Sequence, residues 1–222
     1  MPNIEQEQDQ SKIMKRKPVI GLFGTCGGSK WRDAFMQSYD QKGIYYFNPD
    51  KGDNWHPEDA VNEAEHLKHD DIILFPVTGE TYGTGSLSEV GFSIQQAIQQ
   101  NRDARIVVMI DDKLSDSLTD PVAKKESERS RKLVKAHLAK VESSKVFIVD
   151  DLEQMLEISE DLYKVAEAEK IIGLKLEKMK EAKREKTEQA KKQNPETPTT
   201  PTTGNTPAST GRTNDAGDER DD

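Results

Sequence analysis

The chain has 222 residues, 33% of them hydrophobic and 33% charged, with a formal net charge of −9. That is enough apolar material for one domain with a core, but too little to pack the whole length, and the acidic balance disfavours dedicated nucleic-acid binding. The single cysteine, Cys26, excludes an internal disulfide and a cysteine-based zinc cluster and points to a reducing compartment, so a soluble cytoplasmic protein is expected.

Residues 1–16 are polar, aperiodic and without the apolar segment of a secretory signal, which predicts a mobile leader. Five apolar runs follow in chain order: "PVIGLFG", "GIYYFN", "DIILFPV", "RIVVMID" and "KVFIVDD". Continuous rather than alternating Val/Ile/Phe runs are expected of strands buried on both faces, hence parallel. Helical patterns between them predict helices near 29–42, 57–68, 86–100, 125–141 and 151–170. Together these give a doubly wound α/β domain over 17–165, with ligands expected outside the carboxyl ends of its strands. Residues 166–193 read as a charged helical extension with few apolar anchors, and 194–222, rich in Thr, Pro and acidic residues, as a disordered tail. No apolar run approaches the roughly 20 residues that cross a bilayer, so no membrane partner is expected.

The loops after the strands carry the candidate chemistry. "GTCGGSKWRD" sets Gly24, Thr25, Cys26, Gly27 and Gly28 between a strand and a helix start, where free backbone N–H groups favour an anion or a ribose hydroxyl. Neither a Walker A loop nor G-x-G-x-x-G fits, so nucleoside triphosphate hydrolysis and dinucleotide binding are disfavoured, and a tight turn needing glycine is the plain structural alternative. Trp31 and Arg32 read either as core filler and surface charge or as a ligand wall and clamp. Cys26, near a helix N-terminus, is a minor candidate nucleophile. The four histidines lack metal-ligand spacing; no metal and no cofactor are expected.

In "TGETYGTGSLSEVGFS", Ser86-x-x-Glu89 has the form of a capping box, in which Ser86 caps a helix and Glu89 bonds back to it. The same location suits a catalytic carboxylate, since a helix N-terminus stabilises its ionised form. Gly83, Gly85 and Gly91 would let a ring approach the backbone. Glycosyl transfer commonly uses a second carboxyl group; Glu65 is the candidate, with Glu63 and Asp71 as competitors.

With these segments, "GLFGTCGGSKWRD", "YYFNPDKGDNW", "EAEHLKHDDIILFPVT", "GSLSEVGFSIQQA" and "VVMIDD", the chain resembles the nucleoside 2-deoxyribosyltransferase family from about Pro18 to Asp150, in its deoxyribosyltransferase-like branch. The resemblance implies a flavodoxin-like, Rossmann-like sheet of order 2-1-3-4-5. It implies cleavage of a nucleoside or nucleotide N-glycosidic bond through a covalent ester on Glu89, the sugar passing to another base or to water. Glu65 lies where transferases of the family place an acidic residue against the sugar or base. Trp31, Arg32, Asn48 and Trp55 would line the pocket with Gly85 and Ser86, and self-association through the globular domain is implied. One position departs from the family: the aspartate that transferases carry six residues before the nucleophile is here Gly83. N-hydrolases of the wider superfamily act on nucleoside monophosphates, holding the phosphate in the first loop. The alternative from another class is a non-catalytic nucleotide sensor or scaffold using the same pocket.

Overall fold

The computed structural model describes residues 16–54, 56–99 and 104–193. The expected leader (apart from Arg16), Trp55 and the Thr/Pro-rich tail therefore lie outside the described residues. Five strands, β1 (Ile20–Leu22), β2 (Tyr46–Phe47), β3 (Ile72–Val77), β4 (Arg105–Ile110) and β5 (Val146–Ile148), alternate with helices α1 (Trp31–Lys42), α2 (Pro57–His69), α3 (Thr84–Gln99), α4 (Pro121–Leu138) and α5 (Leu152–Gln193). Every strand pair is parallel and the sheet order is β2-β1-β3-β4-β5, a flavodoxin-like doubly wound fold.

The central strand β3 is buried at all six positions, which is why it reads as an unbroken apolar run. Its side chains split by alternation. Ile72 and Leu74 join Val107 and Met109 of β4 against Trp31, Phe35 and Tyr39 of α1 and Met155, Leu162 and Tyr163 of α5. Ile73, Phe75 and Val77 face the other way, onto Val90 and Ile94 of α3 and Leu138 of α4. Burying one such aliphatic side chain is worth about 1.5–3 kcal/mol.

Helix boundaries differ from expectation where local chemistry was not read. α4 starts at Pro121, four residues early, because Asp120 accepts from the N–H groups of Val122 and Ala123 at 2.9 and 3.0 Å and Pro121 occupies the first helical position. α5 is one continuous helix, with no break at the expected 165/166 boundary. Arg105 bonds Glu169 at 2.7 Å and Lys170 pairs with Asp71 at 2.9 Å, so the helix is tied to the sheet beyond that point. The compact body runs to Met179, and a second unit begins at Lys180. Among the described residues no helix is long and apolar enough to cross a membrane.

Candidate active site

The chain reverses direction across the sheet between β1 and β3, and a cleft of about 410 Å³ opens there at their carboxyl ends. The first loop contributes Gly24, Cys26 and Gly27, and the segment after β3 contributes Thr81 to Ser86. Glu63 of α2 and Glu89 of α3 line it together, with Phe23 and Pro49 as apolar wall.

Glu89 stands in the second turn of α3, at the exposed mouth of the cleft. Partial desolvation by the cleft walls raises its pKa above the ordinary carboxylate value, and the nearby Glu63 carboxylate raises it further. A pair so placed carries one negative charge more readily than two.

Glu65 is not part of this pair. It is exposed and pairs with His69 at 3.3 Å, one turn along the same helix. Two residues on a helix are about 200° apart, so only one of Glu63 and Glu65 can face the cleft, and it is Glu63. Asp71 is held elsewhere, by Arg16 at 3.2 Å, Lys170 at 2.9 Å and the Val19 N–H at 3.0 Å.

The capping box is not formed. Helix α3 begins two residues before Ser86, and the Leu87 N–H donates to the Gly83 carbonyl at 2.9 Å, so Gly83 is the cap residue and Ser86 lies inside the first turn. Ser86 is buried, and it lines the cleft with Gly85. The N–H groups of Thr84, Gly85 and Ser86, in the first turn of the helix, have no intrahelical acceptor, and all three residues line the cleft.

Gly83 itself has φ +67°, and a Cβ there would stand 2.8 Å from Val77 Cγ1 and 3.0 Å from Arg131 Nη2. With a left-handed backbone and these two side chains close by, any residue with a Cβ is strained at this position.

In the first loop, Gly24 has φ +93°, and an added Cβ would lie 2.5 Å from the Pro76 carbonyl, so the loop crosses β3 at a distance only glycine allows. Thr25 is fully engaged: its Oγ1 donates to the Pro76 carbonyl at 3.2 Å and accepts from the Thr78 N–H at 2.9 Å. It locks two loops together rather than offering a ligand contact. Gly28 is not among the cleft-lining residues, although Gly27 is.

Trp31 and Arg32 are corrected from ligand wall and clamp to loop supports. Trp31 is buried edge-on against Phe35, and its Nε1 donates to the Thr25 carbonyl at 2.9 Å. Arg32 is also buried; its Nε donates to the Leu22 carbonyl at 2.9 Å and its Nη1 to that of Thr25 at 2.6 Å. Its Nη1 also pairs with Asp50 at 3.5 Å, tying in the loop after β2. Asn48 shapes that loop through Oδ1, which accepts from the Asp50 N–H at 3.0 Å, and Pro49 rather than Asn48 reaches the cleft.

Cys26 does line the cleft, but desolvation raises its pKa more than Arg32 lowers it, which disfavours the reactive thiolate.

Sequence reasoning missed Arg131. This α4 side chain is 1% exposed, and its guanidinium donates to four main-chain carbonyls: Val77 and Thr78 at 2.8 Å, Thr81 at 3.0 Å and Asp111 at 3.1 Å. One α4 turn earlier, Ser127 Oγ donates to the Tyr82 carbonyl at 2.7 Å. Arg32 and Arg131 thus hold the two loops of the cleft from opposite faces of the sheet. Within "KKESERSRK" nothing distinguishes Arg131 from a surface charge except its four-residue spacing from Ser127.

A second, larger cleft of about 710 Å³ lies over β4 and β5, lined by Ile110, Lys135, Leu138 and Ile148. Its Lys135 is already paired with Asp112 at 2.6 Å. Among the described residues no group of three or more His, Cys, Asp and Glu is placed to hold a metal ion. No protein-family profile and no curated protein sequence matches this chain.

Proposed function

We propose that this protein cleaves or transfers the N-glycosidic bond of a nucleoside or nucleotide, with Glu89 as nucleophile and Glu63 as its acid/base partner. The observation that carries the reading is that two carboxyl groups from different helices share one cleft at the sheet's switch point. It joins the family resemblance of the "SLSEVGFS" segment, which supplies the role of Glu89.

In the first half-reaction a Glu89 oxygen attacks the anomeric carbon while the bond to the base nitrogen breaks. The Glu63 carboxyl gives its proton to the departing base, so the base leaves neutral and the sugar stays as an ester on Glu89. In the second half, the Glu63 carboxylate takes a proton from the incoming water or base as that group displaces the ester. Desolvation, and after it the Glu63 charge, raises the Glu89 pKa, so ionising Glu89 while Glu63 holds the proton leaves the cleft with one negative charge rather than two.

The first-turn N–H groups of α3, free of intrahelical acceptors, would receive a sugar hydroxyl or phosphate oxygen. With glycine at position 83, no aspartate carboxylate is available there to read sugar hydroxyls. This supports an N-hydrolase on a nucleoside monophosphate over a 2-deoxyribosyl transferase.

The test is acid quenching of the enzyme during turnover, followed by intact-mass and peptide measurement. A sugar-sized mass increase on the peptide containing Glu89, lost in Glu89→Gln, is expected. Nucleosides and nucleotides that bind without base release or adduct would instead mark the cleft as a sensor's.

A further inference from the structure

Helix α2 carries Glu63, yet the face it turns to the sheet is not an apolar one. No residue from Pro57 to His69 is buried. Glu63, His66 and Leu67 are partly buried, and Asp70, just past the helix end, is buried. Offsets of three, four and seven residues set these four on one side. Leu67 alone is aliphatic, and it packs with Phe47 at the edge of the core formed by Ile73, Phe75 and Val90. A helix ordinarily takes its rotation from an apolar stripe. In α2 polar contacts carry much of that task.

Those contacts are specific. Asp70 is lodged against β1, where a Cβ at Gly21 would stand 2.8 Å from Asp70 Oδ2. Among the described residues Oδ2 has no hydrogen-bond partner, and Oδ1 meets His66 Nδ1 at 3.0 Å. A buried carboxyl is costly to leave unbonded, so this contact holds His66 to one place. The imidazole also lies flat on Phe47, with 3.5 Å between ring centres and 2° between planes. Phe47 ends β2, and Pro49, two residues on, lines the cleft. Neighbouring charges are paired: Arg16 with Asp71, and Glu65 with His69. One turn before His66, Glu63 lines the cleft together with Glu89.

We infer that Asp70 and His66 are positioning residues for Glu63: their contact, with His66 stacked on Phe47, sets the rotation of α2 that turns Glu63 rather than Glu65 into the cleft. The catalytic consequence rests on the proposed role of Glu63; the geometric one does not. His66→Leu removes the bond and the flat ring contact, and the Glu63 charge then withdraws from Glu89. His66→Gln keeps a donor four residues before Asp70, a spacing at which helical side chains pair, and holds the rotation.

Carbon NMR titration of the glutamate carboxyls in the full chain tests it, the Glu89 signal being identified by its loss in Glu89→Gln. Desolvation and then the Glu63 charge raise the Glu89 pKa, so its midpoint should fall in His66→Leu and keep its wild-type value in His66→Gln. His66→Ala should give the same fall, so the outcome does not depend on how leucine is accommodated. In turnover, His66→Leu should lower kcat by about tenfold to a hundredfold with KM nearly unchanged, since Glu63 acts in the transition state. A merely structural role would lower Tm and leave the Glu89 midpoint in place. An unmoved midpoint in His66→Leu and His66→Ala, or an equal fall in His66→Gln, overturns the inference. The titration needs no substrate: absence of base release by the wild type would defeat the catalytic reading, while the midpoints would still decide this one.

Discussion

Glu63 and Glu89, one from α2 and one from α3, line the same cleft, and desolvation there, together with the negative charge of Glu63, raises the pKa of Glu89. Glu65, two residues from Glu63, faces away and pairs with His69. Glu63→Gln is therefore expected to lower kcat by about 10²–10⁴-fold, the usual contribution of a positioned acid/base group. Glu65→Gln should leave kcat/KM within about twofold, since it alters only an exposed helix pair. Steady-state kinetics on both variants checks the assignment.

The pH dependence follows from the same pair. Glu89 must be ionised to attack, so kcat/KM falls on the acid side as Glu89 takes up a proton, and desolvation with the Glu63 charge shifts that limb upward from the position of an ordinary glutamate. Removing the Glu63 charge takes away one cause of the shift. In the residual activity of Glu63→Gln the acid limb should move to lower pH; an unmoved limb would detach the two carboxyls from each other.

Arg131 predicts a stability effect far from the reacting atoms. Arg131→Met strips donors from three carbonyls of the 77–83 segment and from that of Asp111, and should cost about 3–5 kcal/mol, or about 6–20 °C in Tm. Arg129→Met, on the exposed side of the same helix, should change stability by less than about 0.5 kcal/mol. Thermal melts of the two variants separate a clamp from a surface charge.

Asp70 gives a second pH prediction, at the other end of β3. Its carboxyl is 3% exposed, Oδ2 has no hydrogen-bond partner, and Oδ1 contacts His66 Nδ1 at 3.0 Å. Desolvation, more than His66 and Arg16 offset, pushes its pKa up to about 6. A raised carboxyl pKa means that the folded state binds the proton more tightly, so this group favours folding at low pH. That contribution, on the order of 3 kcal/mol, is lost as pH rises from about 4 through about 6. Asp70→Asn removes the titration, so its stability relative to wild type should improve as pH rises from 5 to 7. Denaturant melts at both values measure the difference, and a constant difference would count against it.

The sheet was legible because burial on both faces leaves a direct trace: β3 and β4 are unbroken apolar runs, and their alternation sorts neatly onto α1 and α5 or onto α3 and α4. The place of Glu89 was legible for a similar reason, since a glycine-rich segment between strand and helix marks a cleft. Which glutamate of α2 lines the cleft with it was not. Glu63 and Glu65 share type and helix, and only the rotation of α2 against the sheet separates them. Trp31 and Arg32 misled because a buried arginine serving carbonyls has the same one-dimensional signature as one awaiting an anion. Arg131 was hidden in a run of charges for that reason too. The start of α3 was misplaced because Ser86-x-x-Glu89 fits a capping box, while the glycine cap at Gly83 offers no side chain to notice.

The central claim rests on Glu89 as nucleophile, and base release from a panel of nucleosides and their 5′-monophosphates, followed by chromatography, tests it most directly. An amide cannot form the glycosyl ester, and Gln at this second-turn position breaks no cap. The wild type should release free base from at least one compound, and Glu89→Gln should lower that rate by about a thousandfold or more with Tm nearly unchanged. Substantial release by Glu89→Gln, or none by the wild type on any compound, would contradict the account.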